Sequence, residues 1–123
     1  MTERGDVHRA GTVLLACDAP TRTTALRTAL RRDGYAVVAL RARAAAGLPV
    51  DVALLDYSQD IDAGLRLLAS LRREEPRLPL VFVGPVETHV RAAAQQHGAV
   101  LFYAPVDTDV LLAAVDRCAS RGA

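Results

Sequence analysis

Two aspartates follow short apolar runs, and carboxylates at such positions can bind ligands or react with them. Asp18 follows the run Val13–Cys17, and Asp56 follows the run Val52–Leu55. Apolar runs of this length predict buried strands of a parallel sheet. Because open α/β sheets bind ligands beyond the carboxyl ends of their strands, we expect both carboxylates to lie at one binding crevice.

The cations available to such a site are unusual, because a phosphate-handling site of this type normally uses a lysine. The 15 Lys and Arg residues are all arginines, and the chain has no lysine. This absence excludes Walker-type nucleotide binding and Schiff-base catalysis, which both need lysine. Six arginines make the first third of the chain basic: Arg22, Arg27, Arg31, Arg32, Arg41 and Arg43. We interpret this cluster as a solvated helix face.

Apolar runs alternate five times with segments of helical spacing, which is typical of βα units around a parallel sheet. We therefore predict one α/β domain over residues 12–119, preceded by a flexible tail at residues 1–11 and followed by a tail at residues 120–123. The Ala-rich segment Arg41–Gly47 predicts at most a short helix. Strands are predicted at residues 12–17, 35–40, 51–56, 80–83 and 99–103.

Capping residues and apolar spacing predict the helices. Asp18 or Thr21 is expected to cap helix one, with Pro20 in its first turn. Asp60 or Asp62 is expected to begin helix three. Residues expected to face the sheet are Ala25, Leu26, Ala29 and Leu30 in helix one, Ile61, Leu65, Leu68 and Leu71 in helix three, Val86, Val90, Ala93 and Ala94 in helix four, and Val110, Leu111, Ala114, Val115 and Cys118 in the last helix, which Asp107 is expected to cap.

The composition is that of a globular domain. At 123 residues, with 51% hydrophobic and 24% charged residues, the chain has room for one domain, and we expect no output domain beside it. No apolar run approaches the ~20 residues that cross a bilayer, and the N-terminus lacks a signal-peptide core, so we expect a cytoplasmic protein with no membrane contact. Cys17 and Cys118 are then expected to be free thiols. A net charge of +1 gives no reason to expect direct nucleic-acid binding.

The order of elements and four motifs resemble the receiver domain of two-component response regulators over roughly residues 12–119. The motifs are Cys17-Asp18-Ala19-Pro20, the segment Asp56–Gly64, Phe82-Val83-Gly84-Pro85, and the segment Gly98–Pro105. The resemblance implies a CheY-like, flavodoxin-like (βα)5 fold, a doubly wound parallel sheet of five strands in the order 2-1-3-4-5. It also implies a function in phosphorelay signal transduction, in which Asp56 is the phospho-acceptor.

The resemblance further implies a Mg²⁺ ion bound by Asp18, Asp56 and the backbone carbonyl of Ser58. Magnesium accepts one or two carboxylates while keeping several waters, so these ligands suffice. Cys17 stands where the family usually has a second acid. Because a thiol is a soft and poor ligand for this ion, we expect a weakened magnesium site.

Two further departures concern the transferred group. Gly84 stands where the family has a Ser or Thr, and Ala104 stands at the lysine position, with the spacing one residue short. Hydrogen-bonding and positive groups stabilise the charge of a phosphoryl group in transfer. The sequence therefore predicts a degenerate site, at which Asp56 is phosphorylated weakly or not at all.

The family also implies an output face formed by helix four, strand five and helix five. In this family an aromatic residue on strand five usually turns inward when the strand-four hydroxyl moves. Counting back from Ala104 gives Leu101 at that position, whereas the aromatic residues available are Phe102 and Tyr103. We therefore assign none of the three. The expected partners are a histidine kinase or another signalling protein, or a second copy in a homodimer through this face. Candidate contact residues are Arg91, Gln95, Tyr103 and Asp107.

Two alternatives stay open beside a phosphorylated receiver. The first is a pseudo-receiver, a phosphorylation-independent protein interaction module. The second, a flavodoxin-like small-molecule-binding enzyme, would bind an anion at the start of helix one through three hydroxyls, those of Thr21, Thr23 and Thr24. That loop has no glycine and few aromatics are available for a flavin, so we expect a signalling domain and not an enzyme. The three histidines lack metal-ligand spacing with a cysteine, which argues against zinc: His8, His89 and His97.

Overall fold

The computed structural model describes residues 11–41, 47 and 49–122, apart from the side chains of residues 121 and 122. Within these residues, the strands are β1 (Thr12–Cys17), β2 (Ala36–Ala39), β3 (Val52–Asp56), β4 (Leu80–Gly84) and β5 (Ala99–Tyr103). The helices are α1 (Pro20–Arg32), α2 (Ile61–Glu74), α3 (Thr88–Gln96) and α4 (Thr108–Gly122).

The strands form one parallel sheet in the order β2-β1-β3-β4-β5. Because every pairing is parallel, all carboxyl ends meet at the same end of the sheet. The register there sets Cys17 opposite Asp56, and Gly84 opposite Tyr103. The predicted flavodoxin-like α/β fold and its strand order are confirmed.

Apolar side chains cover both faces of the sheet, as expected for central parallel strands. One buried cluster packs the sheet against α1 and α4: Val13, Leu15, Leu26, Leu30, Tyr35, Val52, Leu54, Val81, Val83, Leu111, Ala114, Val115 and Cys118. The other packs it against α2 and α3: Leu14, Ala16, Ala53, Leu55, Leu68, Leu71, Leu78, Leu80, Phe82 and Val90. The two layers of helices hold the carboxyl ends of β1 and β3 in fixed positions.

Three residues predicted to face the sheet are exposed, so those predictions are wrong. Val86 is 72% exposed, because α3 begins only at Thr88, after a residue with extended backbone. Val110 is 43% exposed and Ala25 is also exposed. Each of these two lies one position before the centre of its helix's buried face, and one residue is a rotation of about 100°.

Two predicted helix starts agree with the structure. Asp60 is the N-cap of α2, which is the predicted helix three. Its side chain accepts a hydrogen bond from the backbone N–H of Ala63 at 3.2 Å. Asp107 directly precedes α4, and its backbone carbonyl accepts hydrogen bonds from the N–H groups of Val110 and Leu111. The contacts of Ala63 and Val110 satisfy amides that a helix start leaves without intrahelical partners, and the contact of Leu111 is the first regular helical hydrogen bond.

The predicted cap of α1 is wrong. Its N-cap is Ala19, which provides no side-chain hydrogen bond, while Pro20 does occupy the first turn. Thr21 lies inside the helix, and Asp18 is unavailable because its carboxylate binds the loop after β3. A fixed proline φ suits a first helical turn, so α1 begins there without a cap.

Other differences are small. β2 covers four of the six predicted residues, and Tyr35 before it is buried, with its hydroxyl donating to Oδ1 of Asp116. α4 continues past residue 119 to Gly122. Within the Ala-rich segment Arg41–Gly47, residues 42–46 lie outside the described residues, as do residues 1–10 of the predicted tail. No helix among the described residues is long and apolar enough to cross a membrane.

Gly64 is the one glycine whose lack of a side chain shapes the surroundings of Asp56. A Cβ atom there would lie 2.5 Å from Cβ of Tyr57 and 3.2 Å from Cζ of Phe82. Real Cβ atoms do not approach so closely. The first turn of α2 therefore packs directly on the residue that follows Asp56, which accounts for a glycine eight residues after it.

Replacing Gly64→Ala is expected to lower the free energy of unfolding by ~1–3 kcal/mol, because the added methyl overpacks the contact with Tyr57. In a free helix the same change would stabilise by up to ~1 kcal/mol. Urea denaturation measures the difference. The matched control is the same change in a Tyr57→Gly background, where the cost should shrink. An unchanged or higher stability of the single variant would contradict this packing.

Candidate functional site

Asp56 ends β3 at the centre of the sheet. Its exposed fraction is 4%, and among the described residues it is the charged residue that lies in the buried core. Its backbone carbonyl accepts a hydrogen bond from the N–H of Asp18 at 3.2 Å, which ties the end of β1 to the end of β3. The structure therefore brings together the two carboxylates that the sequence nominated.

Asp18 has a different set of contacts. Its Oδ2 accepts hydrogen bonds from the backbone N–H groups of Gln59 at 2.8 Å and Asp60 at 2.7 Å. Its Oδ1 is buried and has no hydrogen-bond partner among the described residues. One oxygen thus orders the loop after β3, while the other retains unused acceptor capacity.

Arg22 contributes the positive charge of the site. Its Nε donates to Oδ2 of Asp56 at 3.0 Å, and its Nη2 donates to the backbone carbonyl of Val106 at 2.9 Å. The guanidinium therefore joins the acid at the end of β3 to the loop between β5 and α4. The interpretation of Arg22 as part of a solvated basic face is wrong.

A sequence signal for Arg22 did exist. Leu26 and Leu30 are the buried residues of α1, and Arg22 lies one turn before Leu26, so it shares their face. Because α1 directly follows β1, its first turn lies at the carboxyl end of the sheet. A charged residue on the apolar face of such a first turn points toward the crevice.

Burial and charge act on the pKa of Asp56 in opposite directions. Burial raises the pKa of this carboxyl, the hydrogen bond and positive charge of Arg22 lower it, and the negative charge of Asp18 raises it. The net effect is to raise the pKa of Asp56 from its ordinary value, because the effect of burial is the largest. Burial also raises the pKa of Tyr57, and the nearby charge of Asp18 adds to that effect.

A cleft of about 530 Å³ opens over Asp56. Its polar lining consists of Arg22, Asp56 and Ser58, and the rest is apolar: Ala19, Val83, Pro85, Ala104, Pro105 and Val106. A cleft of this size admits a small anionic group beside a buried carboxylate and a guanidinium. Ser58, predicted as a backbone ligand, lies on its rim as an exposed residue.

At the positions where the chain departs from the family signature, the residues form local hydrogen bonds and packing contacts. The Cys17 thiol donates to the carbonyl of Ala19 at 3.4 Å, and both cysteines are free. A Cβ at Gly84 would lie 3.0 Å from Phe82, and the carbonyl of Gly84 accepts from the N–H of Ala104 at 2.9 Å. The end of β4 therefore has little space for a side chain at Gly84.

The candidate output residues are all on the surface: Arg91, Gln95, Tyr103 and Asp107. Tyr103 is 37% exposed and borders a cavity of about 240 Å³ with Val86 and Arg91. Phe102 packs against the cluster under α1 and α4, and Leu101 packs against the other cluster. Tyr103 is thus the strand-five aromatic on the surface next to Gly84.

Two of the three hydroxyls proposed for anion binding by a flavodoxin-like enzyme form hydrogen bonds within α1 and its N-cap. Thr23 donates to the carbonyl of Ala19 at 2.9 Å, and Thr24 donates to that of Pro20 at 3.2 Å. In the part of the chain that the structure describes, no group of three or more His, Cys, Asp or Glu side chains could hold a metal ion. The acidic centre is therefore the pair Asp18 and Asp56.

No protein-family model matches the chain. The curated transcriptional regulatory protein GlrR of Escherichia coli (strain K12) is 30% identical to it over 126 residues, covering 94% of this chain and 28% of GlrR. The transcriptional regulatory protein QseF of Escherichia coli O157:H7 matches with the same values. The chain thus spans little more than a quarter of the length of these curated relatives.

Solved structures share the fold over nearly the whole chain. The CheY-like response regulator receiver domain protein of Methanospirillum hungatei JF-1 superposes with a TM-score of 0.79 at 18% identity, covering 90% of this chain and 94% of that one. The receiver domain of the Francisella response regulator 1452 gives a TM-score of 0.77 at 18% identity, covering 92% and 99%. The chain therefore has the fold of CheY-like response regulator receiver domains, and nearly all of it is similar in sequence to part of two transcriptional regulatory proteins.

Proposed function

We propose that this receiver domain acts in two-component signal transduction by accepting a phosphoryl group on Asp56, at a rate reduced by its atypical site. The observation that carries the proposal is the buried Asp56 carboxylate, which ends the central strand under an open cleft and has a guanidinium bonded to it. A carboxylate with such neighbours combines a nucleophile with a group that offsets the incoming negative charge.

The proposed reaction is a transfer between two oxygen or nitrogen nucleophiles. A carboxylate oxygen of Asp56 forms a bond to phosphorus while the bond from phosphorus to the donor breaks. The donor atom leaves with the bonding electron pair and takes up a proton from solvent. The product is an acyl phosphate on Asp56, which a water molecule later hydrolyses. The histidine kinase predicted from the family would be the donor in a cell.

The acidic pair fits a magnesium ion. Asp18 Oδ1 is buried and without a hydrogen-bond partner among the described residues, and a buried oxygen of this kind is costly unless a cation or donor meets it. Asp18, Asp56 and the backbone carbonyl of Ser58 would hold the ion. When bound, Mg²⁺ would neutralise charge between the carboxylate and the oxygens of the donor. The protein's own part is to keep Asp18 rigid through its bonds to Gln59 and Asp60.

Incubation with Mg²⁺ and a small-molecule acyl phosphate is expected to add one phosphoryl group to the wild-type chain, detected as an increase in intact mass. Asp56→Asn should remove the adduct, because the amide is not a nucleophile of comparable strength. Asp62→Asn is the matched control, since Asp62 is an exposed acid in the first turn of α2. Wild-type protein without an adduct, or an adduct that persists in Asp56→Asn, would refute the assignment.

Asp18→Asn is expected to weaken Mg²⁺ binding by about tenfold or more, because a ligand with a full charge is lost while the shape is kept. Isothermal titration calorimetry with MgCl₂ measures the dissociation constant. Asp62→Asn again serves as the control and should bind as the wild type does. Equal affinities for the Asp18 variant and the wild type would show that the unpartnered Oδ1 is not a magnesium ligand.

The raised pKa of Asp56 predicts a pH-dependent stability difference. A pKa that is higher in the folded state than in the unfolded state means that the folded state binds the proton more tightly. This contribution is present at low pH and is lost as pH rises through the folded-state pKa. The free energy of unfolding of Asp56→Asn minus that of wild type should therefore increase from about pH 4 toward neutrality. Urea denaturation across pH measures it, and a constant or falling difference would contradict the burial argument.

The second candidate function is a pseudo-receiver that acts by docking alone. Gly84 has no hydroxyl that could form a hydrogen bond with a phosphoryl group on Asp56. Val86 and Tyr103 lie near Gly84 and are exposed. Under this alternative, Asp56→Asn should leave signalling by the protein unchanged, whereas substitutions at Tyr103 should abolish it. Under the phosphorylation proposal, Asp56→Asn should abolish signalling.

A further inference from the structure

Arg22 occupies a distinct position among the groups around Asp56. Its side chain is 29% exposed, and its guanidinium reaches from the first turn of α1 to Oδ2 of Asp56 and to the carbonyl of Val106. Asp18, by contrast, binds the amides of Gln59 and Asp60, after β3. Arg22 therefore connects Asp56 to the loop before α4, whereas the Asp18 carboxylate contacts the loop that follows Asp56.

This arrangement leaves the two halves of the site separate. The guanidinium lines the cleft together with the loop of Ala104, Pro105 and Val106, whereas Asp18 is not part of that lining. A group transferred to Asp56 from the cleft would therefore meet Arg22 directly. The unpartnered Oδ1 of Asp18 stays available for a cation.

A guanidinium suits a phosphoryl group for geometric reasons. Its planar fork of N–H donors matches two oxygens of a phosphate at once, and its charge persists at any working pH. Arg22 is already fixed at one end by Val106, so little side-chain freedom remains to be lost when it binds. It also supplies the positive charge that Ala104 does not.

We infer that Arg22 binds the phosphoryl oxygens when Asp56 is modified and transmits that change to the loop between β5 and α4 through its bond to Val106. The inference rests on the proposed phosphorylation of Asp56. It assigns to a residue of α1 both the stabilisation of the transferred group and the connection to the surface that carries Tyr103. Arg22 therefore acts by charge and by position at the same time.

The test compares the initial rate of adduct formation on intact chains, with Mg²⁺ and a small-molecule acyl phosphate. Arg22→Ala is expected to lower the rate by about tenfold or more, since a lost donor at a charged transition state has effects of at least this size. Arg22→Lys, which keeps the charge and loses the fork, should give an intermediate rate. Arg31→Ala, an exposed arginine in the last turn of the same helix, is the matched control and should stay within about twofold.

A second readout separates this role from a merely structural one. The amide resonances of Val106 and Asp107 should shift on phosphorylation in the wild type and keep their positions in the phosphorylated fraction of Arg22→Ala. Urea denaturation shows whether each variant is folded. Arg22→Gln, which retains a donor while removing the charge, replaces Arg22→Ala if the latter does not fold.

The outcomes distinguish the two proposals. Equal rates for wild type and Arg22→Ala would overturn the role of Arg22 and leave Asp56 as the acceptor. A faster Arg22→Ala would also overturn it, because the guanidinium would then block the acceptor. No adduct on any variant would refute phosphorylation itself, and the inference about Arg22 would fall with it. The inference is supported in full if Arg22→Ala reacts slowly and its Val106 and Asp107 resonances do not move on phosphorylation.

Discussion

A carboxylate buried at the end of a central strand needs compensation, and the arrangement around Asp56 provides it. Burial disfavours the charge of Asp56, so its pKa rises, and Arg22 opposes this effect through a hydrogen bond at 3.0 Å. Because Asp56 is buried and Arg22 is partly exposed, removing Arg22 would leave the Asp56 carboxylate without its compensating charge. The guanidinium thereby connects the first turn of α1 to the acid at the end of β3 and to the loop at Val106.

The two aspartates have divided their tasks. Asp18 uses one oxygen to hold the loop after β3 and leaves the other buried and unpartnered, whereas Asp56 faces the cleft and the arginine. Gly64 lets α2 approach Tyr57, so the loop between β3 and α2 can lie close enough for Asp18 to reach its amides. Packing, backbone hydrogen bonds and charge thus converge on one short segment after β3.

The departures from the family signature form a consistent pattern. Cys17 donates to a backbone carbonyl, Gly84 leaves room for Phe82, and Ala104 is held to Gly84 through the backbone. Each position has exchanged a polar function for a local contact. What would carry a signal is then the guanidinium of Arg22, which connects α1, β3 and the loop after β5, and not a hydroxyl at the end of β4.

The sequence by itself determined the order of the elements and predicted a parallel sheet. It also indicated that Asp18 and Asp56 follow two strands and that a glycine, Gly64, lies eight residues after Asp56. Periodicity and the direction of chain connection are local properties, so Asp18 and Asp56 could be located at the same end of the sheet before any coordinates. The exposed positions of Val86, Ala25 and Val110 were mispredicted, because a helix start two residues late or a rotation of one residue changes the buried face. Only the tertiary structure decided the role of Arg22. Its partners, Asp56 and the Val106 carbonyl, are 34 and 84 residues away along the chain, and which arginine meets them depends on how α1 packs across the sheet. The helical pattern indicates only that Arg22 lies on the buried face of α1; the packing of α1 on the sheet sets which groups Arg22 meets.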